Sequence, residues 1–265
     1  MKTFRLLVPA LGLAVLAHTP LASADQPGYS PSHANCSALP SYGALRDALK
    51  TARAQPNGGF DLDMWATVVN RDGQVCAVAF TGADRGSQWP GSRVISAQKA
   101  NTANAFSLPK LALSTANIYS AVQPGGSLFG LQHSNPVDTL VAYAGRGQDF
   151  GTKNDPMVDE RPGGVNVFGG GLALYNAAGV LVGAIGVSGD SSCADHNIAW
   201  RTRSLLKLDY VPGGVSGDNA RPDNIVYDIT PQPGQQEGVS ASGWGHPKCS
   251  EAATSIAASL PKVRP

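Results

Sequence analysis

Val180-Leu181-Val182-Gly183-Ala184-Ile185-Gly186-Val187-Ser188-Gly189-Asp190-Ser191-Ser192 carries the chain from a strand into a helix. The run is apolar and β-branched, the composition of a buried strand. Gly189-Asp190-Ser191-Ser192 then offers capping oxygens, and the helix that follows puts Ala194, Ile198 and Leu205 on one face, widened by Ala199 and Leu206. Glycine weakens a strand, so Gly183, Gly186 and Gly189 need a reason. Two readings stand: close packing with a sharp turn, or N–H groups at the helix start holding an anion. Just upstream, Leu172-Ala173-Leu174-Tyr175 and the turn Asn176-Ala177-Ala178-Gly179 complete a hairpin, and Val165-Asn166-Val167-Phe168 reads as a further strand.

Working towards the N-terminus, a second hairpin pairs Trp65-Ala66-Thr67-Val68-Val69 with Val75-Cys76-Ala77-Val78-Ala79-Phe80 across an Asp72-Gly73 turn. Before it, Tyr42, Leu45, Leu49 and Ala52 form one helical stripe with Ser41 as N-cap, and Pro56-Asn57-Gly58-Gly59 stops it. Between the hairpins, Ser92 to Ser107 predicts a helix ended by Pro109, and Ser114 to Val122 a shorter one. Residues 132–164 lack periodicity and read as an inserted excursion, functional or mobile. The last 59 residues, 207–265, are rich in Pro and Gly and read as an extended wrap with a short helix near Glu251 to Leu260. Two hairpins with helices before, between and after give an α+β protein, an antiparallel sheet with helical layers.

Residues 1–24 read as a secretory signal peptide: Lys2 and Arg5, an apolar run Leu6 to Leu16, and the A-x-A site Ala22-Ser23-Ala24. The run is too short for a membrane span, which needs about 20 residues. Residues 25–40 form a polar leader, followed by the domain proper at 41–206. The signal holds two of the 20 basic residues and none of the 19 acidic ones, so cleavage leaves 18 against 19, net −1. That balance argues against a nucleic-acid partner. An even number of cysteines in an exported chain points to disulfides. Cys36, Cys76, Cys193 and Cys249 admit three pairings; Cys193–Cys249 with Cys36–Cys76 is expected, because a long tail gains most from a tether.

Familiar catalytic motifs are incomplete. Ser96-Ala97-Gln98-Lys99 matches S-x-x-K without the S-D-N and K-T-G that accompany it. Gly186-Val187-Ser188-Gly189 misses a nucleophile elbow by one position, and residues 145–151 lack the strand-to-helix context of a dinucleotide loop. Of the four histidines after residue 24, His133 at the edge of the excursion and His196 beside Asp195 are the candidate metal or haem-iron ligands; His246, between Gly245 and Pro247, reads as structural.

The blocks together resemble the GlcG/HbpS-like haem-binding family, which includes the C-terminal domain of PduO. The hairpin at residues 68–78 is similar to the family's V-D-x-x-G-x-x-V-A, and residues 96–106 to its A-x-x-K-A-x-T-A-x-x-F helix. Gly169 to Leu174, Val182 to Gly189 and Ala194-Asp195 resemble G-G-x-P-(I/L)…V-G-A-I-G-V-S-G…D, with Leu172 and Ala173 departing from its small residue and Pro. The resemblance covers roughly residues 41–206. It implies a profilin-like three-layer α/β/α fold with a five-stranded antiparallel sheet, homo-oligomerisation, and the haem or tetrapyrrole binding of some members. Together with the export signal this leads to the expectation of a periplasmic or secreted haem-binding protein serving storage, delivery or redox sensing. Haem needs an apolar slot, an axial donor and cations for its propionates. Phe106, Tyr119, Phe129 and Phe168 would line the slot, Arg93 and Lys99 would meet propionates, and His133 or His196 would ligate iron, near Gly189 and Asp195. The rival readings are an enzyme acting on a small organic acid through Lys99 and Asp195, and a structural module whose glycines serve packing alone.

Overall fold

The computed structural model describes residues 35–265, apart from the side chains of residues 235–237; the expected signal peptide and most of the expected leader lie outside the described residues. Helix α1 (Tyr42–Arg53) starts at Ser41, whose Oγ accepts the Ala44 N–H at 3.3 Å. Strands β1 (Trp65–Asn70) and β2 (Val75–Phe80) form the first hairpin, and helix α2 (Ser92–Phe106) follows. Ser114 to Val122 makes two 3-10 turns rather than a helix. Strands β3 (Gly171–Tyr175) and β4 (Leu181–Ser188) form the second hairpin, and β4 leads into helix α5 (Ser192–Leu205), capped by Ser191. The strands lie in the order β2-β1-β4-β3, all antiparallel.

The main sheet has four strands, not five. Val165 to Phe168 joins no ladder. It is fastened to α2 instead: the Asn166 N–H donates to Thr102 Oγ1 at 3.0 Å, and just before the segment Asn101 Nδ2 donates to the Gly164 carbonyl at 2.7 Å. Val165 and Val167 are buried against Ile118 and Val122 rather than on the sheet. The excursion holds only the short helices α3 (Leu131–Ser134) and α4 (Thr139–Ala142) and a 3-10 turn.

Strand alternation sorts the core into two sides. Trp65, Val69, Val75, Val78 and Phe80 pack with Ala97, Ala100 and Ala103 of α2. Ala66, Val68, Ala77, Ala79, Leu172 and Leu174 pack with Leu45 and Leu49 of α1 and Ile198 and Trp200 of α5. Ala253 and Ala257 of α6 (Glu251–Ala258) and Leu260 are buried in that same cluster. The C-terminal extension thus completes the core, and it also folds a hairpin of its own, β5 (Ile229–Gln232) with β6 (Gln235–Ser240), where an extended wrap was expected. Among the described residues no helix is long and apolar enough to cross a membrane.

The glycine spacing of β4 has a packing cause. A Cβ on Gly186 would lie 2.0 Å from the Ser96 carbonyl oxygen and 2.4 Å from the Ala100 nitrogen, so α2 rests its backbone directly on the strand. Neither obstacle is a flexible side-chain end. Gly186→Ala is therefore expected to cost about 3 kcal/mol, the upper range for overpacking, and to lower the thermal midpoint by roughly 6–12 °C. A variant that melts within a degree of the parent would show that α2 can lift off the sheet.

Candidate functional site

The two hairpins bring the Gly-rich entry to β3 beneath the start of α5, and α2 crosses the same place. Lys99, on α2, donates from Nζ to Asp195 Oδ2 at 2.7 Å and to the Val187 carbonyl at 3.2 Å. The pair that was singled out in the sequence is thus an ion pair, both side chains no more than 3% exposed. Gly170, at φ +119, leaves room for it: a Cβ there would lie 3.1 Å from Asp195 Cβ and 3.2 Å from Lys99 Nζ. Asp195 Oδ1 accepts the Asp190 N–H at 2.9 Å. Burial nevertheless pushes the Asp195 carboxyl up to about 6, outweighing the Lys99 charge and hydrogen bond that pull it down.

The start of α5 is already engaged. The Cys193 N–H donates to Cys249 Sγ at 3.2 Å and the Ala194 N–H to Ser191 Oγ at 3.4 Å. The Asp190 carboxylate accepts the Phe60 N–H at 2.8 Å and the Leu62 N–H at 3.3 Å. Gly189, between them, sits where a Cβ would lie 2.4 Å from the Asp63 carbonyl oxygen.

His196 is fully buried on α5. Its Nε2 lies 3.2 Å from Asn224 Oδ1 and 3.2 Å from the Ile225 nitrogen, both in the extension, while Nδ1 has no partner. Desolvation lowers this imidazole to about 3. His246, read from the sequence as structural, joins the same neighbourhood. Its Nδ1 lies 2.8 Å from the Pro247 carbonyl, its Nε2 accepts the Gly169 N–H at 3.4 Å, and its ring is 5.1 Å from that of Tyr119. Burial lowers it to about 4. Tyr119 in turn lies 6.3 Å from Phe168 and lines a groove of about 410 Å³ between residues 119–127 and the β5–β6 hairpin.

Two expected residues lie elsewhere. Arg93 is buried, donates from Nε to Asp155 Oδ2 at 2.8 Å and from Nη1 to the Ala142 carbonyl at 2.7 Å, and stacks 3.8 Å over Phe150. It fastens the excursion to α2. His133 is exposed on α3, with the exposed Phe129 shortly before it. The structure therefore gathers Lys99, Asp195, Gly189 and His196 around the β3 entry, with Tyr119 beside His246, and leaves Arg93 and His133 apart. The cysteines are paired Cys36–Cys76 and Cys193–Cys249. The contribution of residues 224, 225 and 246 carried no sequence signal, because they reach the site only through the path of the extension.

An antiparallel sheet flanked by helices, with a glycine-rich strand entry over a buried Lys–Asp pair, defines an α+β class of protein. Within it, the chain belongs to the HbpS-like family, described as haem degrading, whose model matches residues 43–203. No curated protein matches the chain. Among solved structures it is similar to the Klebsiella pneumoniae protein ORFY, of family model DUF336, at 22% identity and a TM-score of 0.43, covering 71% of this chain and 97% of that one. It is also similar to a PduOC:heme complex at 23% identity and a TM-score of 0.43, covering 64% of this chain and 96% of the other.

Proposed function

We propose that this protein is an exported haem- or tetrapyrrole-binding protein, homo-oligomeric, serving storage, delivery or redox sensing in the periplasm or outside the cell. The observation that carries the reading is family membership across residues 43–203, the span that holds the main sheet, α2 and all but the last two residues of α5. The signal-like start and two disulfides support export.

The interior residues do not fit haem in this conformation. Lys99 and Arg93 are committed to Asp195 and Asp155, and His196 Nε2 is shared by Asn224 and Ile225. His133 fits better as an iron ligand. Its imidazole is exposed, and Leu128 and Phe129 on the same stretch leave apolar surface open to a flat ligand. Haem bound there would supply iron redox chemistry; the protein's part is to present the imidazole and the apolar wall.

Haemin titrated into the mature protein should give a saturable Soret shift beyond that of an albumin-like control. His133→Ala should weaken that binding at least tenfold, whereas a shift equal to the control would sink the reading. Following the Soret band over time with added reductant then separates binding from breakdown, the activity the family description names. A second reading, an enzyme for a small organic acid, is favoured by the raised Asp195 beside Lys99. It requires that Asp195→Asn abolish turnover of such an acid while the fold is kept.

A further inference from the structure

We propose that the Cys193–Cys249 disulfide is a reducible fastener for a strap, residues 244–249, that covers the Tyr119 and Gly169 side of the site. The inference is independent of what the site binds.

The strap lies between two better-anchored pieces of the extension. Before it, Asp223 is ion-paired to Arg203, and Asn224 Nδ2 donates to the Ala257 carbonyl at 2.9 Å. After it, Ser250 caps α6 and donates to the Gly58 carbonyl at 2.9 Å. Within the extension, the Gly245 N–H donates to Ser240 Oγ at 2.9 Å and the His246 N–H to the Val226 carbonyl at 2.8 Å; the strap touches the body of the domain through few groups. The Gly245 carbonyl accepts Ser120 Oγ at 2.7 Å, His246 accepts the Gly169 N–H at 3.4 Å, and its ring rests on Tyr119. Cys249 supplies the covalent hold.

The two disulfides differ in their surroundings. Cys249 is exposed, while Cys193 is buried. The Cys249 sulfur sits at the N-terminus of the 14-residue helix α5, with the Cys193 N–H at 3.2 Å and Ser192 Oγ at 3.5 Å. Helix N-terminal N–H groups stabilise a thiolate, and a stabilised reduced form makes a disulfide easier to reduce. Cys36 and Cys76, by contrast, are both half-buried. A carbonyl oxygen lies near one sulfur of each disulfide, Gln74 at 3.7 Å from Cys76 and Pro247 at 3.5 Å from Cys193, so the difference rests on the exposure of Cys249 and on the α5 N–H beside it.

The reductant is an external dithiol. One of its thiolates attacks the accessible Cys249 sulfur, breaking the S–S bond, and Cys193 departs as a thiolate that takes up a proton. The dithiol's second thiolate then attacks its own sulfur in the mixed disulfide and expels Cys249 as a thiolate at the α5 N-terminus. The dithiol ends as a disulfide, and two electrons have passed to the cysteine pair. With the tether cut, the strap is left with its few non-covalent contacts, and the Tyr119 ring and the Gly169 backbone are uncovered.

The test uses the full mature chain in a graded series of dithiothreitol, with free thiols trapped by alkylation and read by mass spectrometry. Cys193 and Cys249 should be labelled first, with Cys36–Cys76 intact and the circular dichroism unchanged. In that half-reduced protein, hydrogen exchange at Gly169, whose N–H donates to His246 Nε2, should rise at least tenfold, while α6 at residues 251–258 stays protected. The double variant Cys193→Ala/Cys249→Ser should show the same exchange pattern without reductant. Reduction of Cys36–Cys76 first, loss of both disulfides only on global unfolding, or unchanged Gly169 exchange after selective reduction would each overturn the proposal. Because wild-type reduction is read directly, misfolding of the double variant does not protect it.

Discussion

Replacing Asp223 by alanine is expected to destabilise the protein by about 3–5 kcal/mol, the cost of stranding a buried charge. Arg203, in the last turn of α5, and Asp223, in the extension, are both fully buried. Arg203 Nη2 donates to Asp223 Oδ1 at 2.9 Å and Nη1 to Asp223 Oδ2 at 2.5 Å, a two-point pairing, with a further bond from Nη1 to the Ala173 carbonyl at 3.1 Å. The guanidinium also lies 4.5 Å over the Trp200 ring, and its Nε has no partner. Without Asp223 the charge would keep one backbone carbonyl and an aromatic face in a site closed to water. The thermal midpoint should fall by roughly 6–20 °C. The comparison that isolates the mechanism is Arg203→Met/Asp223→Leu, which removes both charges and should recover most of the loss. If Asp223→Ala alone cost less than 1 kcal/mol, the extension would be an appendage rather than part of the core.

That dependence explains what could be read from the sequence and what could not. Local signals were strong where a decision needs only neighbours. Ser41 and Ser191 cap the helices they precede, Asp72-Gly73 and residues 176–179 turn the hairpins, and Gly186 leaves the space that α2 fills. The pairing of Lys99 with Asp195 was also legible, because both sit in the blocks that resemble one family. What was hidden depends on long-range closure. Val165 to Phe168 has strand composition, but its Asn166 N–H goes to Thr102 of α2 and its Phe168 N–H to Asn166 Oδ1, not to a sheet edge. Arg93 looked like a propionate partner, yet Asp155, 62 residues on, claims it. His196 looked like a free ligand because its neighbours Asn224 and Ile225 belong to a segment whose Pro- and Gly-rich sequence has no periodicity to place it. His246, set aside as structural, proves to lie against Tyr119 and Gly169, and only the disulfide at Cys249 hinted that its segment returns to α5.

Those two histidines should make stability fall steeply as the solution is acidified below pH 6.5. Protonating His196 would place a second ring N–H at Nδ1, where no acceptor lies, and burial opposes the charge throughout. Protonating His246 would set a ring N–H against the Gly169 N–H that Nε2 now accepts. Their folded values, about 3 and about 4, lie below the ordinary 6.5. In the window between, the unfolded chain binds more protons, so stability is full above pH 6.5 and is lost as pH falls towards 4 and 3. Asp195 acts in the opposite sense. Its folded value of about 6 exceeds the ordinary 3.8, so the fold gains stability as pH falls through 6, offsetting one histidine in that range. At about 1.4 kcal/mol per pH unit for each group, lowering the pH from 6.5 to 5 should remove about 4 kcal/mol through the histidines and return about 1 kcal/mol through Asp195. The net loss is about 3 kcal/mol, measured by urea unfolding at the two pH values. His196→Gln should remove one histidine's share and leave the curve nearly flat below pH 6, where Asp195 and His246 then oppose each other. A wild-type protein equally stable at pH 6.5 and 5, or a variant with the parent's full slope, would mean that these imidazoles are not the neutral, interior hydrogen-bonding groups through which the extension is joined to α5 and the β3 entry.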